Sequence, residues 1–520
     1  MKPGTLLRLA VAGTRTDTMR IVLTAFGAVL GTLALLSAAT VLAIPTIHDP
    51  AHPDETPYAP YTNGLLREPG LRPGLSIALI LLTIPVLLFV GQCARLGAPG
   101  RDRRLAAVRL AGATPRQGLA IAGAESGVAM LLGTVVGLLV YLGSRRLLDA
   151  PDAHGLRPLP TDVLPAWSAI AGIVFGLPAI AALATAFLLR RVAVTPLGVA
   201  RRTRTHPPRP LPGILIVFGV VTFAMVTPVA RYTVRHHEVV PSYVLPLALF
   251  FGGLAATIGV VTGAGWLSFT VGRLLVRYAR RPAALIAARR LQADPWHGSR
   301  ALAALLSAAM FAAGAAWIAS YYRTEQRVDA IDQHLANVAF GEPDVVDQAN
   351  PFYLRAVHLV GYGALVAGLI AAAGLAVAVA NSVVERRRAL ASLTASGVPR
   401  GVLGRAVVWQ TVAVAVPALV VAMTTGLALS SGVARPTVAS GGQDSMCTAP
   451  PADPRACFST DPAAHGATMV VAPTVTEQVP IPWGELGVIG GWGLGATVLT
   501  AALGLAFLRA STAPEELRTT

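Results

Sequence analysis

The side chains that could do chemistry in this chain are few, and most of them stand alone. His236, His237 and Glu238 are consecutive, but adjacent histidines rarely converge on one ion, so the triplet is typical of a solvated turn. Lys2 is the only lysine, so no P-loop lysine is available to reach nucleotide phosphates. The sequence has no GxSxG, no HExxH and no paired-cysteine zinc spacing. These observations exclude a Walker-type ATPase site and predict no enzyme chemistry, no metal and no bound cofactor in this chain.

Two polar residues stand out in apolar segments. Glu125 lies about one turn into one segment, and Gln410 occupies the matching position of another. A carboxylate costs about 2.5–3.5 kcal/mol at the bilayer centre and less near the interface, so Glu125 should face other helices or the inner headgroup zone. Because Gln410 cannot carry a proton, the pattern favours hydrogen bonding between helices; a proton or substrate site is the alternative.

An arginine-rich stretch occurs twice, at residues 101–116 and 385–400, and we call the two copies the elbows. They read RDRRLAAVRLAGATPRQ from Arg101 and ERRRALASLTASGVPRG from Glu385, and an offset of 285 residues aligns them. In each copy two apolar residues and a glycine are spaced i, i+3 and i+7, on one face of a helix. Glycine followed closely by proline then indicates a helix end. The residues expected to contact a partner are Arg101, Arg103, Arg104, Leu105, Val108, Gly112, Pro115 and Arg116, and Arg386, Arg387, Arg388, Leu390, Leu393, Gly397, Pro399 and Arg400.

Two interpretations of the elbows are open. Each could be an interfacial helix whose arginines bind anionic headgroups, or a coupling helix whose apolar ridge docks in a groove of a cytoplasmic partner. The duplication favours the coupling helix, because anchoring alone does not need the same turn twice.

The elements that must position these residues are membrane helices. The chain of 520 residues is 54% hydrophobic and only 13% charged, with a mean hydropathy of +0.61, whereas soluble domains carry about 25% charged residues. A helix needs about 20 apolar residues to cross the bilayer, and long continuous runs are unlike the short alternating strands of a barrel. Ten segments qualify: 21–44, 74–94, 118–144, 164–189, 211–230, 242–271, 301–322, 356–384, 402–430 and 483–508. We therefore predict an all-α integral membrane protein with ten spans.

The distribution of charge predicts the orientation. With the N-terminus inside, the cytoplasmic segments hold 30 of the 42 Lys and Arg residues and six of the 26 acids, which is the positive-inside bias. Both termini are then cytoplasmic, and the net charge of +16 reflects topology, not nucleic-acid binding. The first apolar run is longer than the 7–15 residues of a signal peptide, so we expect a retained helix.

The outer loops are predicted to be small. They cover 45–73, 145–163, 231–241, 323–355 and 431–482. The composition of 431–482 favours an irregular loop, and 323–355 should begin with a short helix that continues span seven outward. Cys447 and Cys457 share the loop 431–482 on the oxidising side, where a disulfide is favoured over two free thiols.

The second elbow and the helix after it resemble the FtsX-like permease domain. RDRRLAAVRLAGATPRQGLAIAGAES matches that pattern as well, and the tails TPLGVAR and APEELR resemble the family's ending. Together with the span count, this predicts four parts: 1–72 with the first helix, 73–205 as permease domain one, 206–355 with linking spans five to seven, and 356–520 as domain two. The two domains would form a parallel repeat of a three-helix unit. The resemblance implies the ten-helix permease of a type VII ABC transporter in the bacterial plasma membrane.

The resemblance also implies a partner and a mechanism. A separate cytoplasmic ATPase, usually a dimer, would dock on the elbows and drive export or extraction of an amphiphile by moving the helices. One alternative is a transmembrane relay that activates an extracellular partner such as a cell-wall hydrolase. A secondary transporter, with Glu125 as its main ionisable candidate, is the third hypothesis. Large extracellular domains seen in many relatives are absent from this sequence, so their substrates do not transfer.

Overall fold

A computed structural model describes most of the chain. It covers residues 15–46, 60–67, 71–93, 107, 110, 112–153, 155–193, 211–236, 244–340, 360–379, 399–440, 445–448, 457, 468–471 and 473–511. Over these residues the protein is mostly helical, and ten helices are long and apolar enough to cross a membrane. The predicted span count and helical class are confirmed.

The helices follow the predicted apolar runs, with ends that shift by a few residues in most cases. We number them α1 Arg15–Ala43, α2 Arg72–Cys93, α3 Pro115–Leu147, α4 Trp167–Ala193, α5 Leu211–Ala224, α6 Val226–His236, α7 Val244–Tyr278, α8 Pro282–Ala293, α9 Pro295–Phe340, α10 Val360–Val379, α11 Arg400–Val433 and α12 Trp483–Ser511. Helices α5 and α6 together make span five, and α8 is a short helix between spans six and seven. A single helical turn at Gly64–Arg67 precedes α2.

The largest apolar cluster surrounds α9, the most deeply buried of the ten spans. Small and medium side chains of α7, α9, α10 and α11 form it, among them Ala256, Leu306, Leu375 and Leu419. A second cluster joins α1, α2, α3 and α10, with Phe89 and Ile370 at its centre. Helix α10 thus belongs to both clusters and packs between the first and second halves of the chain.

Glycines let α3 approach α1 closely. A Cβ on Gly137 would lie 2.9 Å from the Thr32 Cβ of α1, and one on Gly133 would overlap the Ala25 carbonyl oxygen. By contrast, a Cβ on Gly172 or Gly176 would meet nothing within 4 Å. The small-xxx-small spacing therefore marks a helix contact in α3 but not in α4.

The prediction of an irregular loop at 431–482 was wrong. Four short strands, β1 Thr437–Ser440, β2 Ser445–Thr448, β3 Thr468–Val471 and β4 Val475–Gln478, form two antiparallel pairs, β1 with β4 and β2 with β3. Four residues separate β1 from β2 and three separate β3 from β4, so the register shifts by one residue between the two pairs. We call this paired segment the outer ribbon.

The first half has its own outer cap, built from parts of the loops 45–73 and 145–163. The buried Tyr61 hydroxyl donates to Asp162 Oδ1 at 2.8 Å. The buried Arg72 guanidinium donates to the Ile44 and Leu66 carbonyl oxygens at 2.9 and 2.8 Å. These bonds satisfy polar groups that would be costly to bury unpaired, so they fix the entry into α2.

Candidate functional site: the elbows and the polar contacts that support them

The first elbow ends in a tight turn that starts α3. Gly112 has a φ of 95°, a conformation that favours glycine. Thr114 is the N-cap of α3: its side chain accepts a hydrogen bond from the Gln117 amide, and Gln117 Oε1 accepts one from the Thr114 amide. Pro115 occupies the first helical position, where its missing N–H costs nothing. The turn therefore does more than end a helix; it begins the next one.

The second elbow begins α11 in the same register. Pro399 is the N-cap and Arg400 is the first helical residue, 285 positions after Pro115. The turn after Gly397 is one residue shorter before its proline, and Pro399 has no side chain that could cap. The two helices nevertheless start at equivalent positions, so Glu125 and Gln410 both lie ten residues beyond the helix start.

Most of the predicted contact residues fall outside the described part of the chain. The structure places Gly112, Pro115 and Arg116 of the first elbow, and Pro399 and Arg400 of the second; Gly112 and Arg116 are exposed. The remaining ones lie outside the described residues: Arg101, Arg103, Arg104, Leu105, Val108, Arg386, Arg387, Arg388, Leu390, Leu393 and Gly397. Leu110, between them, is 90% exposed, which leaves an apolar side chain of the first elbow open to a partner or a lipid.

Glu125 is buried and forms an ion pair that the sequence did not reveal. Arg20 Nη2 of α1 donates to Glu125 Oε2 of α3 at 3.1 Å, and both side chains are less than a tenth exposed. The prediction that Glu125 faces other helices agrees with this geometry. Arg20 was missed because it is 105 residues away; the only local signal is that it is the last basic residue before the first apolar run.

Gln410 sits in a different environment. It is half-buried on α11, next to Trp409, which is 43% exposed. A neutral amide replaces the carboxylate, so the second half has no ion pair at this position among the described residues. Helix α3 is thus tied to α1 by charge, whereas α11 has no such pair at Gln410 among the described residues.

The second elbow has a support of another kind, the short helix α8. Its buried face, which includes Ala287, Ala288 and Leu291, packs against α7 and α11. A Cβ on Gly272 of α7 would lie 3.0 Å from the Leu291 Cβ, so the two helices are in close contact. Helix α8 was not predicted, although Pro282 at its first position is a recognised start signal.

On the predicted outer side, α9 extends beyond the apolar run and is held by the outer ribbon and the start of α12. Trp317 Nε1 donates to the Ala434 carbonyl oxygen at 2.9 Å, and Ser320 Oγ donates to the Pro480 carbonyl oxygen at 2.7 Å. Further out, Ser440 donates to Asp332 Oδ2 at 2.9 Å. Cys447 of β2 and Cys457 are joined by a disulfide, which closes the loop at the far end of the outer ribbon.

In the described part of the chain no group of three or more His, Cys, Asp or Glu residues could hold a metal ion. His236 stacks against Tyr232 with ring centroids 4.3 Å apart, and His237 and Glu238 lie outside the described residues.

Comparison with known proteins places the C-terminal part of the chain in a family. Residues 362–513 match the family described as FtsX-like permease C-terminal. This range contains most of α10, the second elbow, α11, the outer ribbon and α12, but not the first elbow. No curated protein and no solved structure matches the chain. With its ten apolar helices, the chain is therefore a multi-pass protein of the bacterial plasma membrane, and its residues 362–513 match the FtsX-like permease C-terminal family.

Proposed function

We propose that this chain is the permease subunit of an ABC transporter, driven by a separate cytoplasmic ATPase that docks on both elbows. The observation that carries the proposal is the family match over the second elbow and its helices. It is supported by the first elbow, whose helix α3 starts at the position equivalent to the start of α11. Two docking points on one chain fit an ATPase dimer, one subunit to each elbow.

The contacts of α3 and α11, the helices that follow the two elbows, suggest how movement of the ATPase would be transmitted through the membrane domain. Movement of the first elbow acts on α3, which is linked to α1 by the Arg20–Glu125 ion pair. Movement of the second acts on α11, which packs against α8, α9 and α7. Because packed helices transmit strain and do not absorb it, both halves of the membrane domain would respond to nucleotide-driven closure of the ATPase.

An amphiphile is the substrate class that fits this mechanism. Within the described residues the spans contain no row of charged side chains that an ion path would need, and their outward faces are apolar. A substrate with an apolar part can be displaced from the bilayer by moving helices without a dedicated polar channel. Export and extraction from the outer leaflet are both consistent with this step.

Charge reversal at the elbows tests the proposal. ATP-binding cassette subunits should co-purify with the wild-type chain from its native membranes, and the variants Arg103→Glu/Arg104→Glu and Arg387→Glu/Arg388→Glu should each lose most of that association. The matched control is Arg231→Glu/Arg235→Glu, which reverses two exposed arginines on α6, at the other end of the spans. Unaltered association in both elbow variants would refute the assignment.

A second candidate function is a relay of movement to an extracellular partner, and the hydrogen bonds at the outer end of α9 favour it. The outer end of α9 is bonded through Trp317 and Ser320 to the two chain segments that flank the outer ribbon, and through Asp332 to Ser440 of β1. Movement of α9 would therefore move the ribbon. Photo-crosslinking from positions in 431–482 separates the two functions. A specific extracellular adduct without ATP-dependent substrate movement supports the relay; substrate movement without an adduct supports the transporter.

A further inference from the structure

The end of span six carries a dense group of arginines that the proposed transport mechanism does not use. Between Glu238 and Asp294 the sequence contains six arginines and no acid. Five of them are exposed in the structure: Arg273, Arg277, Arg280, Arg281 and Arg289. We call this group the α7–α8 arginine cluster.

In the described part of the chain no carboxylate lies within ion-pair distance of any of the five guanidinium groups. Asp294, the nearest acid in sequence after the cluster, is half-buried. Five positive charges at one corner of a protein repel one another unless an external anion compensates them.

The position of the cluster points to the headgroup layer. Helix α7 has 35 residues, so at 1.5 Å per residue it is about 52 Å long, whereas the bilayer with its headgroups is about 40–45 Å thick. Counted from Val244 at the opposite end, Arg273 lies about 44 Å along the helix. It is therefore level with the second headgroup layer, and Arg277 lies one turn further.

Apolar side chains next to the arginines are exposed. Leu274 is 60% and Tyr278 66% exposed on α7, directly adjacent to Arg273 and Arg277. A tyrosine with an exposed ring at a span end is typical of the membrane interface, and Arg277 Cζ lies 5.8 Å from the centroid of this ring. Exposed apolar and aromatic side chains beside basic ones on the side of a span match the composition of a membrane interface.

We propose that the α7–α8 arginine cluster binds the phosphate headgroups of anionic phospholipids, with Leu274 and Tyr278 contacting the upper acyl chains. Such binding would anchor the α7–α8 corner, and α8 packs against α11, the helix that follows the second elbow. Arginine presents five donors in a planar fork that suits phosphate oxygens, and its stem can lie along apolar surface.

The test measures lipid preference of the purified full-length chain without any ATPase. The chain is reconstituted in phosphatidylcholine vesicles, and spin-labelled phosphatidylglycerol is compared with spin-labelled phosphatidylcholine by electron paramagnetic resonance. Each basic residue near an anionic surface is worth about fivefold in affinity. The variant Arg273→Gln/Arg277→Gln/Arg281→Gln should therefore lose most of the phosphatidylglycerol preference, up to roughly a hundredfold in relative affinity.

Two controls make the result specific. Arg273→Lys/Arg277→Lys/Arg281→Lys keeps the charge and should retain most of the preference, which excludes misfolding as the cause. Arg231→Gln/Arg235→Gln removes two exposed arginines on either side of Tyr232 on α6, the same local pattern at the other end of the spans, and should retain the preference. An unchanged preference in the glutamine triple variant, or an equal loss in the α6 control, would overturn the proposal. If the glutamine triple variant keeps the lipid preference but loses ATPase association in a separate co-purification from native membranes, the proposal is overturned and the cluster is a protein docking surface.

Discussion

Replacement of Arg20 by methionine isolates the contact that ties α1 to α3. The Arg20 and Glu125 side chains are 8% and 3% exposed and meet at 3.1 Å, so the change leaves a buried carboxylate without its guanidinium. Removal of one partner of a buried pair costs about 3–5 kcal/mol, whereas replacement of both by apolar groups of similar volume is often neutral or stabilising. We therefore expect Arg20→Met and Glu125→Leu each to lower the melting temperature of the detergent-solubilised protein. The double variant should recover most of the loss.

The chain provides a matched control in a second arginine–glutamate pair. Arg323 and Glu485 meet at 2.7 Å, but their side chains are 43% and 41% exposed, and exposed pairs contribute about 0–1 kcal/mol. Arg323→Met, Glu485→Leu and their double variant should all melt near the wild-type temperature. The reasoning fails if the Arg20 and Glu125 single variants melt like the wild type. It also fails if their effects simply add in the double variant, because independent effects would mean that the two residues do not stabilise each other.

Three further predictions concern packing, ionisation and covalent structure. Gly133→Ala should destabilise the chain by about 1–3 kcal/mol because the added methyl group overpacks against α1. Gly172→Ala is the control: its added methyl group would have no neighbouring atom within 4 Å, so the change should be neutral or slightly stabilising. Thermal melting of both variants checks this prediction. Burial and the hydrogen bond to Asp162 raise the pKa of the Tyr61 hydroxyl. The stabilisation that the protonated hydroxyl gives to the folded outer cap should therefore be complete below pH ~10 and be lost as the pH rises through the raised pKa. Tyrosinate absorbance during an alkaline titration should show a tyrosine that ionises late, and Tyr61→Phe, but not Tyr232→Phe, should decrease this late fraction. Peptide mapping without reductant should recover Cys447 and Cys457 in one disulfide-linked species. The disulfide should contribute about 3 kcal/mol to the free energy of unfolding of this loop, and Cys447→Ser should lose that contribution.

The sequence predicted the membrane architecture because each span is an unbroken apolar run. A run of that length has one stable form in lipid, and the observed helices differ from the predicted ones mainly at their ends. Helix α9 is an instructive case: its continuation past the apolar run was predicted from RTEQRVDAIDQHLANVAF, whose charges indicate a solvated extension.

The supports of the elbows were harder to predict. The Arg20–Glu125 pair joins residues 105 positions apart, and no local pattern encodes such a contact. The outer ribbon was missed because each strand has only four residues, too few for alternation to stand out in a segment rich in Gly, Pro and Ser. Thr114 and Gln117, by contrast, form a capping box, and the spacing T-x-x-Q is a recognised sequence signal for this motif. The boundaries of the four predicted parts and the parallel repeat stay predictions.

The length of α9 determines how far its two ends move when the helix tilts by a small angle. Its 46 residues make a rod about 69 Å long with 1.5 Å per residue. It contains no proline after Pro295 at its first position, and its Gly298–Ser299 pair lies close to that same end, so the rest of the helix carries neither of these kink signals. A tilt of about 10° around the midpoint would carry each tip through roughly 6 Å, about one helical turn. A rocking motion too slight to open the bundle would still shift the far end by more than the spacing between two neighbouring strands.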